Sequence, residues 1–429
     1  MTHNWEEKAI SSTTHADFKD RYALVSRTRR GRRKKPKFIA VDFFCGAGGT
    51  TRGLIDAGGY VAAGIDKVET CAQTYISNNG NESWDRDYPK FLSMDIFPAT
   101  EDYPSGQQAE IFETLDRILP EVRRSIPTVP LLFAICAPCQ PFTRISNGMS
   151  DERTKKRDTD KSLLLHACSF VAKYKPEYVL SENVAGIRQQ RFGGVWTEFE
   201  RELEKLGYVT GSKVVCASKF GIGQRRKRSI LAAARNDTFT GEVPDRLEIP
   251  DADPDTGLVS AGEILAGLPP ITHGAVHPEV PNHVTRGLNA LNELRISHAP
   301  AGGSNAYLED TPDGDLSLAC HRKVNGKFGQ RCFGDTYTRM DPEQPSPTIT
   351  TKCHSFTNGR FGHPDLSQKR CISMREAARL QSFEDDYIFY PKKQLTGVAT
   401  QIGNAVPPKL ANFFARRLIS GGLVESECQ

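Results

Sequence analysis

The stretch Cys136-Ala137-Pro138-Cys139-Gln140-Pro141-Phe142-Thr143 holds the residues best suited to covalent chemistry. A cysteine acts as nucleophile or metal ligand through its thiolate, so its surroundings decide its use. Prolines 138 and 141 stop any strand ladder, which places both cysteines on a loop. On these residues alone four readings stay open: Cys139 as nucleophile, a Cys-x-x-Cys redox pair, half of a zinc site, or two packed thiols. A zinc site needs a second close-spaced pair. His321 only follows Cys320, and Cys332 and Cys353 are isolated, so no metal is expected.

The loop must be delivered by a regular element. Val129 to Ile135 is an apolar run that reads as a buried strand of a parallel sheet, and ligands bind at the carboxyl edge of such sheets. The same alternation recurs along the chain. Strands are expected at Lys37–Phe44, Tyr60–Ile65, Phe91–Ile96, Tyr178–Ser181, Val209–Ala217 and Ser229–Ala234. Helices are expected at Thr50–Ala57, Glu69–Ile76, Ala109–Leu119, Leu163–Tyr174 and Val195–Leu206. This is a doubly wound α/β, Rossmann-like pattern.

Residues 1–36 read as a flexible basic leader and 37–235 as the α/β domain. Residues 236–370, rich in Pro, Gly, Asn, Asp and His, read as a smaller irregular domain of short strands and loops. Residues 371–429 return to the α/β domain: a helix over Met374–Gln381, a turn over Gln401–Pro408 and a last helix over Lys409–Leu418. The polar segment Arg144–Lys161 reads as a mobile loop over a site.

With 38% hydrophobic and 25% charged residues, the composition is that of an ordinary water-soluble protein, and no apolar run approaches a membrane span. The polar amino terminus is no secretory signal, and eleven cysteines argue for reduced thiols in a cytoplasm. The net charge is +4, but Arg27–Lys37 alone holds eight basic residues and no acid. Subtracting those eight charges leaves −4 for the rest. Such a run suits either a solvated tail or an arm on nucleic-acid phosphates.

Other polar residues fall at the same sheet edge. Gly46, Gly48 and Gly49 follow the first strand without completing a dinucleotide fingerprint. Asp66, ending the second strand, can accept hydrogen bonds from ribose hydroxyls. Asp95, ending the third, can accept one from an adenine amino group. Each could instead be a helix cap or a strand-end carboxylate, but with the glycine turn the series points to an adenosyl cofactor. Glu182, just past its strand, can donate a proton to a ring nitrogen or serve as a salt-bridged carboxylate, with Arg226 as a partner. Arg226 and Arg228 alternate, so both face one way and suit either phosphate or carbonyl oxygens or a solvated face.

In this order the motifs resemble those of the C5-cytosine-specific DNA methyltransferase family. The resemblance rests on Asp42-Phe43-Phe44-Cys45-Gly46-Ala47-Gly48-Gly49, Pro138-Cys139-Gln140-Pro141-Phe142, Glu182-Asn183-Val184, Gln224-x-Arg226-x-Arg228 and Gln401-Ile402-Gly403-Asn404-Ala405-Val406-Pro407, with Arg375–Gln381 besides. It implies that Cys139 adds to carbon 6 of a flipped-out cytosine while Glu182 protonates the ring. Asn183 holds the site, Arg228 binds the cytosine carbonyl or nearby backbone, and Arg226 fixes their loop. S-adenosylmethionine is the implied cofactor, lined by Phe44, Gly46, Gly48, Asp66, Asp95, Pro138, Asn404 and Val406.

Residues 236–370 match the family's variable target-recognition region, and double-stranded DNA is the implied partner. A monomer associated with the nucleoid of a bacterial cytoplasm is expected, in a restriction-modification or host-protection role. Whether a restriction endonuclease accompanies it stays open. A related branch acts on transfer RNA, and the long variable region argues for DNA instead. Loss of catalysis in a mere binding protein is disfavoured by the retention of Cys139, Glu182 and both arginines. Two departures stand out: Gly64 where relatives often carry a ribose-binding Glu, with Asp66 as the substitute, and Cys136-Ala137 where they carry a glycine pair.

Overall fold

The computed structural model describes residues 35–79, 90–101, 103–138, 163–189, 194–319, 324–325, 330–331 and 333–424. Cys139, the Arg144–Lys161 loop and all of the expected leader up to residue 34 lie outside the described residues.

The apolar runs become one seven-stranded sheet. Its strands are β1 (Phe38–Phe43), β2 (Gly59–Ile65), β3 (Lys90–Leu92), β4 (Leu131–Ile135), β5 (Tyr178–Val184), β6 (Tyr208–Cys216) and β7 (Lys227–Arg235), in the order β3-β2-β1-β4-β5-β7-β6. The first five run parallel, and β7 lies antiparallel between β5 and β6. Every residue of β1, β2 and β4 is buried, as strands covered on both faces must be.

Alternate side chains of β1 divide between two cores. Ile39, Val41 and Phe43 pack under α3 (Gln108–Ser125), α4 (Leu163–Tyr174) and α5 (Val195–Lys205) through Ile111, Leu115, Phe170, Trp196 and Phe199. Phe38 and Ala40 pack on the other side against Leu54 of α1 (Gly49–Asp56) and Leu410, Phe414 and Leu418 of α10 (Pro408–Ile419). Helices on both faces of a mostly parallel sheet make the fold doubly wound and Rossmann-like.

Several boundaries differ from the sequence expectation. The Glu69–Ile76 helix opens as a 3₁₀ turn (Glu69–Cys71) and becomes α-helical as α2 (Ala72–Asn78). β3 ends at Leu92, so Asp95 lies beyond it rather than on it. There the chain leaves the ladder: Met94 N bonds Asp66 O, and Asp95 and Gln107 exchange hydrogen bonds. β5 runs on to Val184 because its antiparallel pairing with β7 extends to Arg228. Glu182 and Asn183 are therefore strand residues.

Residues 236–370 contain helical turns where short strands were expected. α6 (Ala261–Leu265) and α7 (Ala290–His298) are helices. The only strands described there are the two-residue β8 (Val324–Asn325) and β9 (Gln330–Arg331). The apolar packing of this stretch continues into the C-terminal segment. Ala261, Met340 and Ile349 share one cluster with Met374, Ala377 and Leu380 of α8 (Met374–Leu380), and with Val398 and Ile402 of α9 (Leu395–Asn404).

Buried polar groups fix the same region. Arg370 and Glu376 form a two-pronged ion pair, both bonds 2.7 Å, with both side chains buried. Burial alone would push the Glu376 carboxyl up, yet His363 and Arg370 beside it hold it well below the usual carboxylate range. Ser373 caps α8 by accepting from Glu376 N at 3.1 Å, and its hydroxyl meets His283 Nδ1 at 2.8 Å. The other ring nitrogen, Nε2, lies 2.8 Å from the carbonyl of Pro269. A carbonyl only accepts, so the neutral ring carries its proton on Nε2.

Burial pushes the His283 imidazole down to about 4. An unfolded imidazole titrates near 6.5, so between those values the unfolded chain binds a proton that the folded chain refuses. Stability should therefore fall as pH drops from 6.5 toward 4. Urea unfolding of wild type and His283→Gln across this range checks it. The variant should lose that share of the pH slope, and equal slopes would show that the ring is not held neutral.

Candidate active site

A cavity of about 870 Å³ runs along the carboxyl edge of the parallel strands. Phe44 to Ala47 after β1 form one wall, and Ile65 to Glu69 after β2 continue it. Met94 to Ile96 after β3, Cys136 to Pro138 after β4, and Glu182 and Val184 of β5 complete that side. Arg226 and Arg228 close one end, and Asn404 to Val406 arrive from the C-terminal segment. Ten of the thirteen residues expected from sequence line this one cavity: Phe44, Gly46, Asp66, Asp95, Pro138, Glu182, Arg226, Arg228, Asn404 and Val406. Cys139 lies outside the described residues, directly after Pro138.

Two expected residues stand behind the wall. Gly48 is the left-handed residue before α1, with φ of 90°, and its N–H donates to Cys45 O at 2.8 Å. A side chain there would run into Asn79 and Tyr387, so its place in the turn is steric and it touches no cavity space. Asn183 also faces inward. Its Nδ2 donates to Ala137 O at 3.0 Å and its Oδ1 accepts from Val184 N at 2.9 Å. It thereby fixes the chain leaving β4, two residues before Cys139.

The carboxylates hold distinct positions. Glu182 Oε1 lies 2.7 Å from Arg228 Nε, with both side chains nearly buried. The partner of Glu182 is thus Arg228, not Arg226. Arg226 instead spreads its guanidinium over backbone, donating to Ile349 O at 2.9 Å, Gly403 O at 3.0 Å and Ala405 O at 3.3 Å. It is a positioning residue. Asp66 accepts from Gly46 N and Val68 N, both at 2.8 Å, one on each oxygen. Burial raises its pKa against the pull of those two amides. Asp95 accepts from Phe97 N at 3.2 Å and from the Tyr103 hydroxyl at 2.7 Å, with Lys67 Nζ at 3.4 Å. Gly64 cannot be replaced by a carboxylate, because a side chain there would collide with the Tyr75 hydroxyl.

The thiols differ in environment. Cys136 lines the cavity, and its sulfur accepts from the Thr50 hydroxyl at 3.9 Å. Burial, then the nearby Glu182 and Asp42 carboxylates, push the Cys136 thiol well above its ordinary range. A thiol so raised stays protonated and is a poor nucleophile. Beneath the glycine turn, burial, only partly offset by the Thr51 hydroxyl, pushes the Asp42 carboxyl up to about 7. Among the described residues no His, Cys, Asp and Glu gather as a metal site.

The sequence reading missed the far wall, where Tyr390, Pro391, Gln394, Thr400 and Gln401 face the cavity. Gln401 to Asn404, expected in a turn, belong to α9. Leu395, Val398, Ala399 and Ile402 stand at helical spacing, the signal that could have shown it. Gln401 ties this wall to α2, accepting from the Thr74 hydroxyl and donating to Tyr390 O, both at 2.7 Å.

The residues present fit an adenosyl group. Phe44, Ile65, Met94 and Ile96 offer apolar surface for a base, while Asp66 and Asp95 keep lone pairs for ribose and amino hydrogens. The amino end of α1 opens at the same turn.

The family model described as C-5 cytosine-specific DNA methylase matches residues 108–420. The Type II methylase M.HgiDII of Herpetosiphon aurantiacus is 31% identical over 380 residues, which cover 88% of this chain and 94% of that protein. The Type II methyltransferase M.BbvI of Brevibacillus brevis is 29% identical over 60% of this chain and 62% of its own length. Among solved structures, a protein encoded in an E. coli prophage and described as a DNA modification methyltransferase superposes with a TM-score of 0.61. It has 19% identity and covers 90% of this chain and 99% of that one. Spodoptera frugiperda DNMT2 follows at a TM-score of 0.55 with 16% identity, over 89% of this chain and 99% of that one. With a family model over most of its length and a near full-length relative, this chain belongs to the C-5 cytosine-specific DNA methylase family.

Proposed function

We propose that this protein is a DNA (cytosine-5-)-methyltransferase that methylates carbon 5 of a cytosine flipped out of a specific duplex sequence. The observation that carries the reading is the Glu182–Arg228 ion pair at 2.7 Å, on the wall of the cavity that Pro138 also lines, one residue before Cys139. Cytosine is too electron-poor at carbon 5 to be alkylated directly, and the duplex hides it, so the base must leave the stack.

Each group then has one task. The Cys139 thiolate adds to carbon 6 while Glu182 gives a proton to the unsubstituted ring nitrogen beside the carbonyl, which makes carbon 5 electron-rich. S-adenosylmethionine, when bound, supplies the methyl group. After transfer the carbon 5 proton is lost and Cys139 is expelled, restoring the ring. Arg228 orients the Glu182 carboxyl and offers a donor to the cytosine carbonyl. Asn183 holds Ala137, and through it the nucleophile loop. Phe44, Gly46, Asp66, Asp95, Pro138, Asn404 and Val406 form the cofactor wall, Asp66 taking the ribose hydroxyls in place of a carboxylate at 64.

Double-stranded DNA is the substrate, read by residues 236–370. The relatives named as Type II methylases support a host-protection role beside a restriction endonuclease, in a bacterial cytoplasm. A monomer suffices for one strand at a time.

Cys139→Ser should abolish methyl transfer and leave cofactor affinity within a few-fold, whereas Cys136→Ser should stay active. Duplex carrying 5-fluorocytosine should trap an adduct only when Cys139 is present. A trap that forms without it would sink the mechanism.

Glu182→Gln should lower single-turnover methyl transfer by roughly 10²–10⁴-fold, the usual worth of a positioned acid, with cofactor binding retained. Calorimetry and rapid quench check both halves, and a change under tenfold would remove Glu182 from proton transfer.

Deleting residues 1–36 should flatten the salt dependence of DNA binding, because phosphate contacts release counterions, and leave the methylated sequence unchanged. Bisulfite sequencing would show a shifted sequence if the arm read bases.

A further inference from the structure

Ser181 stands on β5 just ahead of the Glu182-Asn183-Val184 motif and is fully buried. It shares a strand face with Val179, which packs in the apolar core. A hydroxyl in such a place needs a partner. Its Oγ donates to the carbonyl of Ile135, the last residue of β4, at 2.5 Å. Two residues on, and on the same face, Asn183 Nδ2 donates to Ala137 O at 3.0 Å.

These two bonds take over where the ladder stops. β4 and β5 pair in parallel only as far as Ala134 and Leu180, while β5 stays paired with β7 through Val184. On its other side the chain leaving β4 keeps a backbone bond, Cys136 N to Phe43 O at 3.4 Å. Toward β5 its hydrogen bonds come from the side chains of Ser181 and Asn183. Glu182, between them, faces the opposite way and lines the cavity. One three-residue stretch of strand thus carries the proton donor and both holds on the chain that leads through Pro138 to Cys139.

In the reaction above, the thiolate attacks one atom of the cytosine ring while Glu182 protonates another atom of the same ring. Both groups must be in reach together, and a misplacement of about 1 Å can cost a hundredfold in rate. The separation of nucleophile and acid is therefore a quantity the fold has to fix. We propose that Ser181 is a further positioning residue for methyl transfer, its hydroxyl setting where the chain that carries Cys139 parts from the strand that carries Glu182. This inference rests on the DNA-methylating reading above.

The test is the rate of covalent adduct formation on a duplex carrying 5-fluorocytosine, with duplex and S-adenosylmethionine both saturating. Calorimetry gives the two affinities, and thermal melting shows that each variant folds. Ser181→Ala should slow the adduct roughly 10–10²-fold while both affinities stay within a few-fold of wild type. Ser181→Thr restores the hydroxyl and should recover most of the rate. Ser181→Cys keeps the shape with only a weak donor, should stay slow, and carries the test if Ser181→Ala does not fold. A folded Ser181→Ala or Ser181→Cys with the wild-type adduct rate would overturn the inference and leave the enzyme reading intact. So would a loss shared equally by the affinities, or a folded Ser181→Thr as slow as Ser181→Ala. A wild-type protein that forms no adduct would overturn both.

Discussion

The buried guanidinium of Arg226 is the joint on which the site depends. It stands just ahead of β7 and holds three carbonyls from two distant segments, Ile349 on one side and Gly403 and Ala405 on the other. Gln224, two residues earlier, does the same with side-chain amide atoms, donating to Leu380 O and Gln381 Oε1 and accepting from Ile349 N. Gln381 in turn donates to Ile402 O. The sheet, the stretch before Thr350 and the segment that completes the cavity wall are thus locked to one another by polar contacts with little solvent access. Charge-assisted bonds of this kind are strong and directional, which suits a site assembled from both ends of the chain.

Much of this was legible in the sequence, for a physical reason. Strands buried on both faces leave unbroken apolar runs, so β1, β2 and β4 announce themselves, and residues after such strands must gather at one edge. Asp66 and Asp95 were placed by that rule, and Phe44 and Pro138 by the family resemblance. Glu182 was placed one step wrong, past its strand, because the extension of β5 comes from pairing with β7, about 45 residues downstream. Gly48, given a cofactor contact by the family resemblance, sits in the turn before α1, where the space beside it is filled by Asn79 and Tyr387. The far cavity wall was lost when the Gln401–Asn404 motif outweighed the helical spacing of the residues before it.

The stretch from 236 to 370 was hardest to read, because its order comes from contacts that have no period. Arg339 is fully buried and donates to the carbonyls of His363, Asp365, Gln368 and Ile296. Arg375 donates to those of Pro281, Glu384 and Tyr387, and Arg295 to Leu316. An arginine in a sequence reads as surface, and nothing in its neighbours says that it will be walled in by backbone.

That choice of partner has a consequence for which side chains this stretch can change. A guanidinium bound to main-chain carbonyls is indifferent to the side chains those residues carry. His363, Asp365 and Gln368 supply oxygens to Arg339 that almost any residue would supply. The apolar clusters of this stretch constrain their own members in size and shape, whereas its arginine-to-backbone clamps do not. The demand moves instead onto the arginines, since removing one would leave several buried carbonyls without a donor, each a costly loss. The frame is anchored to the cavity through Ile349, whose carbonyl accepts from Arg226.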